Sequence, residues 1–289
     1  MALQKWTFSS TSTDSGLRLD QLVAKHTGIS RRAAREALKL GGVQVDRKRV
    51  RVAGKMLQAG IEIRVAFDPD LPAVPTMQIP VVFEDQWLLV VNKPTGIPTQ
   101  GTWASDRHDL LALIKTQRPE LKLFLHHRLD QGTSGLLIFS KDTSINAELT
   151  RKFTEHAVRK TYLARVSRLL EACTVDRPIG RLRNAVPGRF GVDGDLMEPK
   201  EAITEFRPAT KEEMLGLPAG YWIIAEPRTG RTHQIRVHLA SLGAPVRGDR
   251  LYGGEDAPEL ELHAWKLVLN HPATGQEIEF VAPPRWIPQ

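Results

Sequence analysis

His127-Arg128-Leu129-Asp130-Gln131-Gly132-Thr133-Ser134-Gly135 leads straight into Leu136-Leu137-Ile138-Phe139. A short apolar run behind turn formers predicts a buried strand, and an arginine and a carboxylate stand at its entrance. Taken alone, this stretch supports two accounts. Either Asp130 accepts from nearby amides in a capped turn while Arg128 is solvated, or a loop on a rigid scaffold presents functional groups. Working outward, Val81-Val82-Phe83 and Trp87-Leu88-Leu89-Val90-Val91 are joined across Glu84-Asp85-Gln86 as a hairpin. Strand-like runs recur at Tyr162 to Val166, Trp222 to Ala225 and Leu267 to Leu269, and helical spacing at Leu110 to Lys115 and Asn146 to Phe153. Strands interrupted irregularly by helices predict an α+β domain rather than a repeating βαβ fold.

Upstream, Pro69, Pro72, Pro75 and Pro80 disfavour helix and sheet and predict a semi-extended linker over residues 67–80. A chain of 289 residues is long enough for two units, and these are placed at 14–66 and 81–289. In the first, Ser30 reads as an N-cap and Gly41-Gly42 as the stop of a short helix. Arg31, Arg35 and Lys39 recur every four residues on one face, next to Arg32, while Ala34 and Leu38 turn inward. Val43-Gln44-Val45 and Ile61 to Val65 then alternate as half-buried strands. Between Gly16 and Lys55 stand eleven basic and three acidic residues, a net +8 against +7 for the whole chain. One short module therefore carries the entire excess. A basic stripe is either a solvated surface or a phosphate-neutralising face, and this concentration favours the second, with salt-sensitive affinity for nucleic acid.

Composition narrows the classes further. Hydrophobic residues at 41% and charged residues at 25% match ordinary folded proteins and argue against a disordered or collagenous chain. The apolar runs fall short of a membrane helix, and Met1 to Phe8 lacks a secretory signal. A single cysteine, Cys173, forms no internal disulfide, so a reducing, cytoplasmic setting is expected. No metal site is expected either: His126 and His127 point apart on a strand, and the five-residue spacing of His233 and His238 suits a helix face poorly. The glycines of Asn184 to Asp195 do not form a dinucleotide fingerprint, and no phosphate loop occurs, so no nucleotide cofactor is expected. A methyltransferase would need a glycine-rich cofactor loop that is not found.

Beyond these local readings, His127 to Leu137 resembles the signature of the RluA family of RNA pseudouridine synthases: His-Arg-Leu-Asp, two variable residues, then Thr-Ser-Gly-Leu-Leu. Lys160-Thr161-Tyr162-Leu163-Ala164 is similar to the family's Lys-x-Tyr segment, and Thr229-Gly230-Arg231-Thr232-His233-Gln234-Ile235-Arg236-Val237-His238-Leu239 to its third block. Asn92-Lys93-Pro94-x-Gly96, Gly248-Asp249 with Tyr252-Gly253, and Leu262-His263-Ala264 continue the pattern, from about Val81 to the C-terminus. The segment from Leu17-Arg18-Leu19-Asp20 to Val43-Gln44-Val45 likewise resembles the S4, or alpha-L, RNA-binding domain, with Gly60-Ile61 where a Gly-Asp is usual.

These resemblances imply an α+β protein with a small N-terminal α/β RNA-binding module and a larger mixed, mainly antiparallel catalytic domain. They imply isomerisation of uridine to pseudouridine in RNA, without a cofactor. Asp130 would be the essential carboxylate, Arg236 its ion-pair partner, Tyr162 the aromatic against the base and Arg128 a residue filling the space of a flipped nucleotide. Flipping is required because a stacked base hides its glycosidic bond. Arg31, Arg32, Arg35 and Lys39 would contact RNA. Ribosomal RNA of the large subunit is the expected substrate, with tRNA as the alternative and a non-catalytic RNA-binding assembly factor as the rival class. No membrane and no obligate protein partner is implied. After Gly96 this chain reads Ile97-Pro98-Thr99-Gln100-Gly101 where many relatives have a Val-His-Pro-like segment, so no particular target uridine carries over. The helix bearing Arg236 is expected to open at Thr232 and stop near Gly243.

Overall fold

The computed structural model describes residues 3–71, 74–183, 185–186 and 188–286; Met1, Ala2, Pro72, Asn184 and Gln289 of the segments above lie outside the described residues. Two units emerge: Met1–Gln78 with Pro98–Pro119, and Ile79–Ile97 with Glu120–Gln289. The first contains β1 (Gln4–Ser9), α1 (Leu19–Thr27), α2 (Arg31–Leu40), β2 (Val43–Val45), β3 (Lys48–Arg49), β4 (Glu62–Phe67) and α3 (Leu110–Gln117). Its strands form an antiparallel sheet in the order β1-β4-β2-β3. The helix expected after Ser30 forms as α2: Ser30 Oγ accepts from the Ala33 N–H at 3.1 Å, and Gly41 ends it in left-handed backbone at φ 86°. Leu19, Leu22, Ala34, Leu38, Val43 and Ile63 close a core between the helices and the sheet. Leu38 is wholly buried, so Leu38→Ala would cost about 2 to 5 kcal/mol.

Two features of this unit differ from the sequence expectation. β1, which lies ahead of residue 14, pairs along β4 and sends Trp6 and Phe8 toward the core. Residues 98–119, expected in the larger domain, belong here instead. Arg49 donates to the Thr102 carbonyl at 2.6 Å and the Asp106 N–H to the Leu40 carbonyl at 3.2 Å, long-range bonds that no local pattern announces.

The second unit contains β5 (Val81–Glu84), β6 (Leu88–Lys93), β7 (Phe124–Leu125), β8 (Ser134–Ser140), α4 (Asn146–Thr154), β9 (Arg159–Val166) and β10 (Cys173–Asp176). There follow β11 (Ile179–Leu182), β12 (Phe190–Gly191), β13 (Leu196–Lys200), β14 (Ile203–Pro208), β15 (Tyr221–Pro227), α5 (Gln234–Ser241), β16 (Leu262–Asn270) and β17 (Glu277–Val281). The main sheet runs β10-β14-β15-β9-β16-β8-β6-β5, antiparallel except where β16 meets β8. β12, β11 and β13 make a separate small sheet. The architecture is α+β, mostly antiparallel. Every residue of β8 is buried, which explains the unbroken apolar run Leu136 to Phe139 at its centre. Gly135 sits on β8 at φ 112°, where a Cβ would lie 2.3 Å from the Ala264 carbonyl oxygen on β16, so the parallel pairing demands glycine there. Among the described residues no helix is long and apolar enough to cross a membrane.

Candidate active site

Asp130 lies in the turn just before β8, and its neighbours' carbonyls are fastened from the β6 end. Lys93 Nζ donates to the carbonyls of Pro94 (2.9 Å), Ile97 (2.7 Å) and Gln131 (3.2 Å), and Thr95 Oγ1 donates to that of Gly132 (2.6 Å). The Thr133 N–H closes the turn on the Asp130 carbonyl at 3.1 Å. The Asn92 to Gly96 segment thus clamps the loop that carries the carboxylate. Burial pulls the Lys93 pKa down to about 7, against the opposing pull of Asp130. Three carbonyl acceptors match the three donors of an ammonium, which favours the charged form of Lys93 in this clamp.

A ring of side chains meets Asp130 across a cavity of about 490 Å³. Arg236 Nη1 donates to Asp130 Oδ2 at 3.4 Å, while its Nε and Nη2 grip Asp249 at 2.7 and 2.9 Å. Asp249 is completely buried and also accepts from the Leu251 and Tyr252 amides. It follows Gly248, where φ is 81° and a Cβ would lie 1.9 Å from the Glu259 carbonyl oxygen. Burial works against the Arg236 charge, but the two carboxylates outweigh it and hold its pKa above the usual value. His233 Nε2 stands 3.9 Å from Asp130 Oδ2, and its Nδ1 shares a 2.9 Å hydrogen bond with the Tyr252 hydroxyl. That hydroxyl also accepts from the Phe190 N–H at 3.1 Å. Burial, with the positive charges of Arg236 and Arg128, lowers the His233 pKa against the pull of Asp130 and Asp249.

Tyr162 lines the same cavity from β9, where its backbone is paired with Ala225 of β15 and Ala264 of β16. Burial and the Asp130 charge push its phenol up, so it is neutral at neutral pH. Asp130, Tyr162, Arg236 and Arg128 therefore line one cavity, as their spacing in separate sequence blocks could not by itself require. Arg128 is exposed at its edge. The helix bearing Arg236 does not open at Thr232. It begins at Gln234 after His233, which adopts left-handed backbone at φ 58°. Gln234 holds the preceding loop by accepting from the Thr229 hydroxyl (2.8 Å) and the Arg231 N–H (2.9 Å). His126 and His127 diverge: the first bonds Thr150 and Ser140, while the Ile138 N–H donates to the second, which stacks on Phe153 at 4.3 Å. Burial pulls the His127 pKa down to about 3, in keeping with an acceptor nitrogen.

Arg31, Arg32, Arg35 and Lys39 belong to the other unit, and their face is not uniformly free. Asp20 on α1, wholly buried, draws in Arg35 at 2.7 Å, Arg18 at 3.1 Å and Arg31 at 3.5 Å. Arg32 has no ion pair among the described residues, and Lys39 only a loose one with Glu36 at 3.9 Å. In the site itself, sequence reasoning assigned no role to Lys93, His233, Asp249 or Tyr252. All four lie inside quoted motif blocks, which was the available signal.

The family model described as RNA pseudouridylate synthase matches residues 87–241, and the S4 domain model matches 17–63. tRNA pseudouridine synthase C of Salmonella typhi is 33% identical, over 68% of this chain and 82% of its own. Ribosomal large subunit pseudouridine synthase C of Pasteurella multocida is 32% identical, over 93% of this chain and 87% of its own. Among solved structures, human RNA pseudouridylate synthase domain containing 1 superposes with a TM-score of 0.60 at 29% identity, covering 74% of this chain and 86% of that one.

Proposed function

The chain belongs to the RNA pseudouridylate synthase family, and from that premise we propose that Asp130 is its catalytic carboxylate and large-subunit ribosomal RNA its substrate. The protein is an RNA pseudouridine synthase carrying an S4 RNA-binding domain. The observation that carries the site assignment is that Asp130, the one carboxylate among the described residues lining the cavity, faces Arg236 at 3.4 Å and shares that cavity with Tyr162.

The reaction breaks the bond between uracil nitrogen 1 and the ribose, rotates the base, and joins carbon 5 to the same ribose carbon; the carbon 5 proton leaves to solvent and nitrogen 1 takes one up, so atoms and charge balance. Positive charge builds on the sugar as the first bond breaks, and the Asp130 carboxylate meets it. Arg236, fixed from behind by Asp249, orients the carboxylate. The Tyr162 ring offers a face to the detached base, with its phenol protonated. Arg128, exposed and without an ion pair among the described residues, fills the gap that the flipped nucleotide leaves in its stack.

The large-subunit assignment is supported by the relative that aligns along 93% of this chain, which leaves too few residues unaligned to omit 17–63. The tRNA-modifying relative aligns along 68% and makes tRNA the second reading. The deciding assay is tritium release from uridine labelled at carbon 5 in unmodified ribosomal and transfer RNA transcripts. Wild type should release tritium from the ribosomal transcript, and Asp130→Ala should be slower by about 10³-fold or more with RNA affinity kept within a few fold. Release from tRNA alone would reassign the substrate. Tight binding without release from either would favour a binding factor.

A further inference from the structure

Among the described residues Asp130 is the sole carboxylate lining its cavity, yet four guanidinium or ammonium groups line it: Arg128, Lys160, Arg231 and Arg236. Arg236 is accounted for by Asp130 and Asp249. Lys160, two residues before Tyr162 on β9, has no ion pair among the described residues, and its single hydrogen bond is a long one of 3.5 Å to the Thr229 carbonyl. A partly buried ammonium with so little compensation is expensive to keep unless something else completes its shell. Burial lowers its pKa, and no carboxylate offsets that pull. Arg231 reaches the same cavity from the loop before α5. Its Nε donates to the Glu201 carbonyl at 2.7 Å, and its terminal amines make no hydrogen bond among the described residues. His156, in left-handed backbone at φ 59° beyond α4, also lines the cavity. Its pKa is lowered by burial and then by the positive charges of Lys160 and Arg231, with Glu201 opposing, so the rim is positive overall.

Uracil is neutral, so this surplus of cations does not serve the base. What accompanies a flipped uridine into a cavity of this size is its sugar and the phosphates on either side. We propose that Lys160 and Arg231 form a phosphate subsite that grips a backbone phosphate next to the target uridine, setting where its ribose stops over Asp130. The inference rests on the isomerase reading of the cavity. Lys160 supplies a point charge from the cavity wall, and Arg231 supplies the planar fork suited to phosphate oxygens.

The test compares wild type, Lys160→Met and Lys160→Arg, with dissociation constants for in vitro transcribed ribosomal and transfer RNA measured across a salt series. Lys160→Met keeps the stem and deletes the charge. It should weaken binding about tenfold at low salt and lower the slope of log affinity against log salt by about 0.7 to 1. Lys160→Arg should restore both. Because the apo lysine is poorly compensated, Lys160→Met should melt at or above the wild-type temperature. An unchanged slope, an equally defective Lys160→Arg, or a lower melting temperature with the slope intact would assign Lys160 a structural role and overturn the proposal. Tritium release is followed in parallel. If no transcript is turned over by wild type, the isomerase reading fails by that result, while the slopes still report on the phosphate contact.

Discussion

Asp249 does not line the cavity, yet it fixes a residue that does. Its carboxylate accepts two bonds from Arg236 and two from backbone amides, and nothing of it reaches solvent. Arg236 is therefore held at Nε and Nη2, with Nη1 left over for Asp130. Asp249→Asn keeps the volume but removes the charge and one acceptor oxygen, so the guanidinium loses its fixed seat. The single-turnover rate at saturating RNA should fall by about 10- to 100-fold while the dissociation constant moves only a few fold, because misplacement by about 1 Å is enough to cost that much. A rate equal to wild type, measured below the melting temperature of the variant, would show that Arg236 is held some other way. At this scale the sequence was legible where function is local. His127-Arg128-Leu129-Asp130 announces a polar cluster at a strand entrance by itself. Lys93 and Asp249 do not, since each draws its role from residues 38 and 13 positions away.

Among the elements, α2 carries the plainest electrostatic design. Three arginines converge on buried Asp20, so part of what looked like a free basic stripe is an internal ion-pair cluster. Burial of Asp20 works to raise its pKa, but the bonds from Arg35 and Arg18 outweigh it and bring it down to about 2. A folded-state pKa below the ordinary value of 3.8 means the carboxylate adds stability above that pH and loses it as pH falls through about 2. Asp20→Asn should thus be less stable at neutral pH and should show a shallower loss of melting temperature between about pH 4 and pH 2. Parallel curves for the two proteins would refute the linkage. Asp14, held low by Lys25 and the Thr11 amide, remains in the variant and keeps some acid sensitivity. Ser30 and Gly41 made α2 readable in advance because caps are written in adjacent residues. β1 was not readable, because Trp6 and Phe8 gain meaning only from the register with β4. The assignment of residues 98–119 to the first unit depends in the same way on Arg49 and Asp106, which bond Thr102 and the α2 residue Leu40 far away in sequence.

For the molecule as a whole, the proposed function assigns capture and chemistry to different parts of the chain, and the charge distribution follows that division. The segment from Gly16 to Lys55 holds the net positive excess, while the other unit holds the cavity with Asp130. Non-specific phosphate attraction acts equally on ground state and transition state, so charges of the first unit should appear in affinity and not in the rate of the bound complex. Testing this by deleting Arg31 or Arg35 would confound binding with folding, since either change leaves buried Asp20 short of a partner. Arg32 and Lys39 avoid that problem: the first has no ion pair among the described residues and the second only the 3.9 Å contact to Glu36. Arg32→Gln with Lys39→Gln should reduce the salt slope by about 1.5 to 2, near the full effect of two phosphate contacts. Single-turnover tritium release at saturating RNA should stay within about twofold of wild type. A slope unchanged by the double substitution would remove this face from the RNA interface. A slope that falls together with the saturated rate would show that the first unit acts on the bound substrate as well as capturing it.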